Sequence, residues 1–163
     1  MCFHRVMAHD TEVRVVTATR DIASSAEQIF ELIADPSEQP RWDANDNLTV
    51  APTGQRVRAV GDVFAMTLTN GAVRENHIVE FDEGRLIAWL PAEIGAEPPG
   101  HLWRWELEPI DDTHTRVTHT YEWSDLTDEK RLIRARATTA DNLLASIDRL
   151  SELSEAGGQI DRD

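Results

Sequence analysis

Residues 101–123 read HLWRWELEPIDDTHTRVTHTYEW, two alternating runs on either side of Asp111-Asp112. Successive side chains of a strand point to opposite faces. In the first run His101, Trp103, Trp105 and Leu107 therefore share one face, against Leu102, Arg104, Glu106 and Glu108. In the second, Val117, His119, Tyr121 and Trp123 oppose Arg116, Thr118, Thr120 and Glu122. One charged face meets water and one apolar face must be covered, which describes an antiparallel hairpin packed on another layer. The covered face has an unusual content. It holds three of the chain's five tryptophans and its only tyrosine, although aromatics are 6% of all residues. Indole, phenol and imidazole each need a hydrogen-bond partner when buried, and a solid apolar core supplies none. The face reads as the wall of a pocket; the alternative for Trp89, Trp103, Trp105 and Trp123 is plain core filling.

The covering layer follows in the chain. From Thr127 to Glu155 there is no Gly or Pro, and Ile133, Ala137, Ala140, Leu143, Leu144, Ile147, Leu150 and Leu153 recur in steps of three and four. This spacing predicts one long amphipathic helix, stopped at Gly157-Gly158. Its small residues at 137 and 140 leave space beneath a curved sheet. Upstream, Val13–Ile22 reads as a strand. Ser24 with Glu27 forms a capping box for a helix carrying Ile29, Phe30, Leu32 and Ile33, ended by Pro36. A second short helical piece covers Pro36–Trp42. Strands follow at Leu48–Pro52, at Asp62–Asn70 with Phe64, Met66 and Leu68 inward, and at Ala72–Phe81 with His77, Val79 and Phe81 inward. Asn70-Gly71 joins the last two as a hairpin turn. Arg85–Leu90 places Ile87 and Trp89 inward, and Pro91–Gly100 reads as a long loop. The expected fold class is α+β: a curved antiparallel sheet of about seven strands wrapped round a long C-terminal helix, with two short helices after the first strand. The division is a flexible leader over 1–12, one domain over 13–155 and a flexible tail over 156–163.

Charge and composition exclude several classes. The net charge is −14, which repels phosphate backbones and anionic membrane surfaces. Neither nucleic-acid binding nor membrane insertion is expected, since no run of apolar residues reaches spanning length. The single cysteine, Cys2, permits no internal disulfide, and the first sixteen residues contain no secretory apolar run. The expected location is the cytoplasm, and the expected state is a monomer or homodimer.

The candidate ligand-binding residues are Trp42, Phe64, Met66, Phe81, Trp89, His101, Trp103, Trp105, Trp123, Ala140 and Leu144. Among polar groups, His119, His77 and Tyr121 are the acid–base candidates: an imidazole to take a proton next to a carbonyl, a phenol to donate to the enolate. The alternative for each is a core group with a satisfied hydrogen bond. Glu75 is read as facing inward beside His77 or as solvated near the turn. No metal site is expected, because His77, His101 and His119 lack tight ligand spacing. Asp43, Asn45 and Asn47 imitate the start of a calcium loop, but Leu48 and Gly54 stand where it needs Gly and Glu. There is no phosphate loop, nucleophile elbow or dinucleotide fingerprint, and no cofactor is expected.

The run IASSAEQIFELIADPSEQPRW resembles the opening of START-like (SRPBCC) proteins, through Ile22, Ala23, Ile29-Phe30, Asp35-Pro36 and Trp42. THTRVTHTYEW is similar to a late strand of the polyketide cyclase/dehydrase branch, with Thr115–Thr118 as its centre. The resemblance covers Val13–Leu153 by element order. It implies a helix-grip fold with a hydrophobic cavity, and carries over no catalytic residue. The expected function is binding of a hydrophobic, ring-containing small molecule between sheet and helix. The alternatives are a cyclase/dehydrase-type enzyme acting on a polyketide-like substrate and a co-chaperone-like protein-interaction module.

Overall fold

The computed structural model describes residues 12–162. Seven strands form one antiparallel sheet in the order β1-β7-β6-β5-β4-β3-β2. They are β1 Val15–Ile22, β2 Leu48–Val50, β3 Val63–Leu68, β4 Val73–Asp82, β5 Leu86–Glu93, β6 Leu102–Asp111 and β7 His114–Glu122. Between β1 and β2 lie α1 (Ala26–Ala34), a 3₁₀ turn (Pro36–Glu38) and α2 (Gln39–Trp42). After β7 come α3 (Glu129–Ala137) and α4 (Ala140–Arg162). The leader expected over 1–12 lies, up to residue 11, outside the described residues, as does Asp163.

The chain order makes the sheet wrap. Only the closing β1–β7 pair joins distant strands, with Val15 opposite Glu122 and Ile22 opposite Thr115. The curved sheet packs on α4, which lies against β1, β7, α1 and α2. Ile29, Phe30 and Ile33 of α1 join Ile22, Phe64, Ile78, Ile87, Trp105, Val117, Ile147 and Leu150 in the main core. A second core sits under α3: Trp123, Leu126, Leu132, Ala135 and Leu143.

Four details depart from the sequence reading, each for a local reason. The α1 cap is Ser25, whose hydroxyl accepts the Gln28 N–H at 3.2 Å. Ser24 instead turns inward and donates to Gln28 Oε1 at 2.9 Å. In β4 the register shifts at Val79, between Ile78 and Glu80. One extra residue inverts the faces before it. Asn76 and Ile78 are thus the buried residues, and His77 and Glu75 stand on the other face. Strand β5 continues through Pro91, which pairs with Asn76 of β4; its pairing with β6 ends at Trp89–Trp103, so the missing N–H breaks no ladder bond on that side.

The fourth departure is the long helix, which is broken in two. Thr138 adopts extended backbone at φ −80, ψ 120, and its N–H bonds the Ala135 carbonyl. Thr139 Oγ1 then accepts the Asn142 N–H at 3.2 Å, and Asn142 Oδ1 accepts the Thr139 N–H at 2.8 Å. Reciprocal capping of this kind starts a new helix. Ile133, expected inward, is consequently 70% exposed. At the other end, α4 keeps helical backbone through Gly157 and Gly158, past the stop expected there and into the tail.

Candidate ligand cavity

A cavity of about 570 Å³ lies between the inner face of β3–β7 and the α2, α3 and α4 helices. The cross-strand register builds its wall. Trp103 stands opposite Tyr121, Trp105 opposite His119, and Trp89 opposite Trp103. Trp103 meets Tyr121 at 4.3 Å between ring centroids. His119 is sandwiched, 3.7 Å from Trp105 and 5.5 Å from Trp103, with both rings nearly parallel to it. Trp42 closes edge-on against Trp105 at 5.1 Å and donates its indole N–H to the Leu32 carbonyl at 2.7 Å. The position of Trp42 is therefore set by the end of α1, which ties the cavity's side wall to the core.

The polar groups are held in defined states. His119 Nδ1 is 3.0 Å from the Arg104 carbonyl. A carbonyl only accepts, so Nδ1 carries the proton and Nε2 keeps its lone pair. Burial, against a small opposing effect of that hydrogen bond, pushes the His119 pKa down to about 3. His101 is pushed down to about 4, first by burial and then by the fields of Arg131, Arg74 and Arg134. Tyr121 is pushed up to about 12 by burial, against the field of Arg134. Two imidazoles stay neutral and one phenol keeps its proton across the physiological range. Among the described residues, His101 Nδ1 and Trp105 Nε1 are buried without a hydrogen-bond partner.

Of the expected residues, Trp42, Met66, Trp89, His101, Trp103, Trp105, His119 and Tyr121 line the cavity. Six others do not. Phe64 packs behind Trp89 at 5.4 Å, and Phe81 packs on Phe30 at 5.7 Å. Trp123 belongs to the core under α3, with the Arg14 guanidinium 5.0 Å from its ring. His77 is on the outer face, turned there by the β4 bulge. Ala140 is exposed and Leu144 half-buried; Ala137 and Leu143 of the expected helical stripe line the cavity instead, together with Asn142 and Ser146. Arg74, Asn76 and Arg134 also line it and were not anticipated from the sequence. The alternation of β4 read from its far end pointed Arg74 and Asn76 outward. Only Pro91 of the expected loop lines the cavity.

Around the cavity, Asn45 donates to the Asn142 carbonyl at 2.9 Å and accepts from the Asn142 amide at 3.2 Å. This clasp joins the segment after α2 to the first turn of α4. Asp43 Oδ2 accepts the N–H groups of Asn47 at 2.7 Å and Leu48 at 3.0 Å, so this carboxylate organises its own turn. Glu75 accepts the Gly95 N–H at 2.9 Å on the other side of the sheet. Among the described residues no three His, Cys, Asp or Glu gather as a metal-holding group, and no helix is long and apolar enough to cross a membrane.

The family model described as polyketide cyclase / dehydrase and lipid transport matches residues 14–155. Uncharacterized protein Rv0088 of Mycobacterium tuberculosis is 27% identical over 111 residues, 66% of this chain and 47% of that protein. The chain thus spans about half the length of the curated relatives it matches. Among solved structures, protein NE0264 of Nitrosomonas europaea superposes with a TM-score of 0.68 at 16% identity, over 89% of this chain and 96% of the other. A START superfamily protein of Mycobacterium smegmatis does so with a TM-score of 0.60 at 15% identity, over 87% and 97%. At such identities the likeness concerns the fold, and the fold is START-like.

Proposed function

Since the chain belongs to the polyketide cyclase/dehydrase and lipid transport family, we propose that it binds a hydrophobic, ring-containing small molecule in the cavity between sheet and helices. One observation carries this reading: a space of about 570 Å³ faced by Trp42, Trp89, Trp103, Trp105 and Tyr121. Cavities of this size and lining suit drug-sized ligands. Flat rings stack on indole and phenol faces, and the few polar tips orient them.

The cyclase/dehydrase reading has weaker support. His119 and Tyr121 do share the wall, but an imidazole at about 3 is a poor proton acceptor near neutral pH. A neutral His119 and a protonated Tyr121 serve better as a fixed acceptor and a fixed donor for ligand oxygens.

The test is native mass spectrometry of the purified protein, then denaturing extraction, then a tryptophan-fluorescence screen of polycyclic and acyl ligands. Binding predicts a co-purified mass or a saturable quench, and an affinity in His119→Phe lowered by no more than about tenfold, the worth of one hydrogen bond. A protein that stays empty throughout the screen defeats the reading. Product formation that His119→Phe slows by about 10²–10⁴-fold moves the balance to the enzyme.

A further inference from the structure

The cavity wall inverts the charge balance of the molecule. The chain carries 30 acidic and 16 basic residues. Among the described residues the wall has one carboxylate, Asp43, against two guanidiniums, Arg74 and Arg134. Asp43 is engaged by the N–H groups of its own turn. Elsewhere Arg14, Arg20, Arg41, Arg56, Arg104, Arg116, Arg131 and Arg136 hold carboxylates, while Arg58, Arg85 and Arg149, which lie away from the cavity wall, have no ion pair among the described residues. Among the described residues, neither Arg74 nor Arg134 has an ion-pair partner, and neither guanidinium donates a hydrogen bond. The acid opposite Arg74 in register is Glu93. Its carboxylate reaches Arg131 instead, at 3.6 Å, and Arg131 also holds Asp128 at 2.6 Å.

A second observation points the same way. His101 lines the cavity, and its Nδ1 is buried without a hydrogen-bond partner among the described residues. The half-buried Arg74 rises from β4, and Arg134 stands exposed at the rim on α3. Their fields converge with that of Arg131 on His101, which they help hold in its neutral form. Guanidinium forks match the geometry of a carboxylate, and such pairs are strong where water is partly excluded.

We propose, building on the binding reading above, that the ligand is a hydrophobic carboxylic acid, its ring against Trp103 and Tyr121 and its carboxylate held by Arg74 and Arg134. The net charge of −14 repels anions from a distance. A preference for the acid over a neutral analogue must therefore come from local contacts.

The experiment titrates the full chain with matched probes differing only in charge: the 2-carboxylate and 2-carboxamide of naphthalene and of anthracene, read by tryptophan quenching. The expected result is acid binding tighter than amide by about tenfold or more, the range of a charge-assisted pair. Arg74→Gln and Arg134→Gln should each erode that preference, weakening acid binding more than amide binding. Arg134, exposed on its helix, gives a variant that folds even if Arg74→Gln does not. Bound acid, but not bound amide, should also raise the His101 pKa in an NMR titration, because a negative charge enters the field of the three arginines. Equal affinity for acid and amide overturns the carboxylate inference and leaves the hydrophobic cavity standing. If neither ring system binds in either form, both readings fall together.

Discussion

His119 lies between two indoles with Nδ1–H on the Arg104 carbonyl, and burial holds its pKa at about 3 against an ordinary 6.5. Between those two values the unfolded chain takes up a proton that the folded chain refuses. The stabilising contribution is therefore complete above the unfolded value and is lost as the pH falls toward the folded one. His101, at about 4, acts with the same sign over a shorter span. Urea unfolding from about pH 8 to about pH 5 should show constant stability at first, then a fall below 6.5 of up to about 1.4 kcal/mol per pH unit for each histidine. This window lies above the one in which Glu80 and Glu83, whose pKa values Arg104 and Arg56 lower, take up protons. His119→Gln should flatten the slope, and an unchanged slope would exclude His119 as its source. Gly100 carries a different constraint. Its φ is 120°, and a Cβ there would lie 2.5 Å from the Asp125 backbone. Gly100→Ala should cost about 2 kcal/mol or more in thermal or urea unfolding. The burial of His119 was legible from alternation alone. The use of Gly100 was not, because its neighbour Asp125 is distant in sequence.

The break between α3 and α4 sets where the cavity's helical wall begins. Thr139 and Asn142 cap each other at the start of α4, and Asn142 carries the clasp to Asn45. Thr139→Ala should cost about 1 kcal/mol, the usual worth of such a cap. It should also loosen the clasp, seen as faster amide exchange at Asn45 and Asn142, whereas Thr138→Ala should leave both residues protected. Equal effects from the two threonines would contradict the assignment of the cap. The β6–β7 hairpin could be read because its pairing runs without interruption from Leu102–Glu122 to Pro109–Thr115. Apolar alternation and structural register then coincide. In β4 they do not, because the bulge at Val79 joins two segments of opposite phase, each too short to reveal its parity. The long helix misled for a related reason. Alanine and leucine spacing stays nearly in phase across Thr138-Thr139, and the only sign of the break is the Thr-x-x-Asn cap itself, which propensity scarcely registers.

Across the whole molecule, a well-filled core under α1 sits beside a cavity that the same sheet leaves polar and open. Ile78 and Asn76 show the contrast within one strand: both are buried, but Ile78 belongs to the core and Asn76 lines the cavity. The amide of Asn76 donates one long bond, 3.4 Å, to the Phe64 carbonyl. A buried polar group so poorly satisfied works against folding. Asn76→Leu keeps the branched shape and number of heavy atoms, adds bulk that the neighbouring cavity can take, and removes that liability. It should stabilise the protein by about 1 kcal/mol and raise Tm by about 2–4 °C, as expected for a chain of this length. Ile78→Ala should instead cost about 2–5 kcal/mol, the range for truncating a well-packed aliphatic side chain. Scanning calorimetry gives both values, and a fluorescence titration of the same Asn76→Leu protein gives its ligand affinity. A gain in stability with weaker binding would mean that the polar wall is kept at the expense of the fold, for the sake of an occupant with polar atoms of its own. A loss of stability would place Asn76 among the groups that hold β3 to β4, and the cavity's polarity would then follow from the architecture of the sheet.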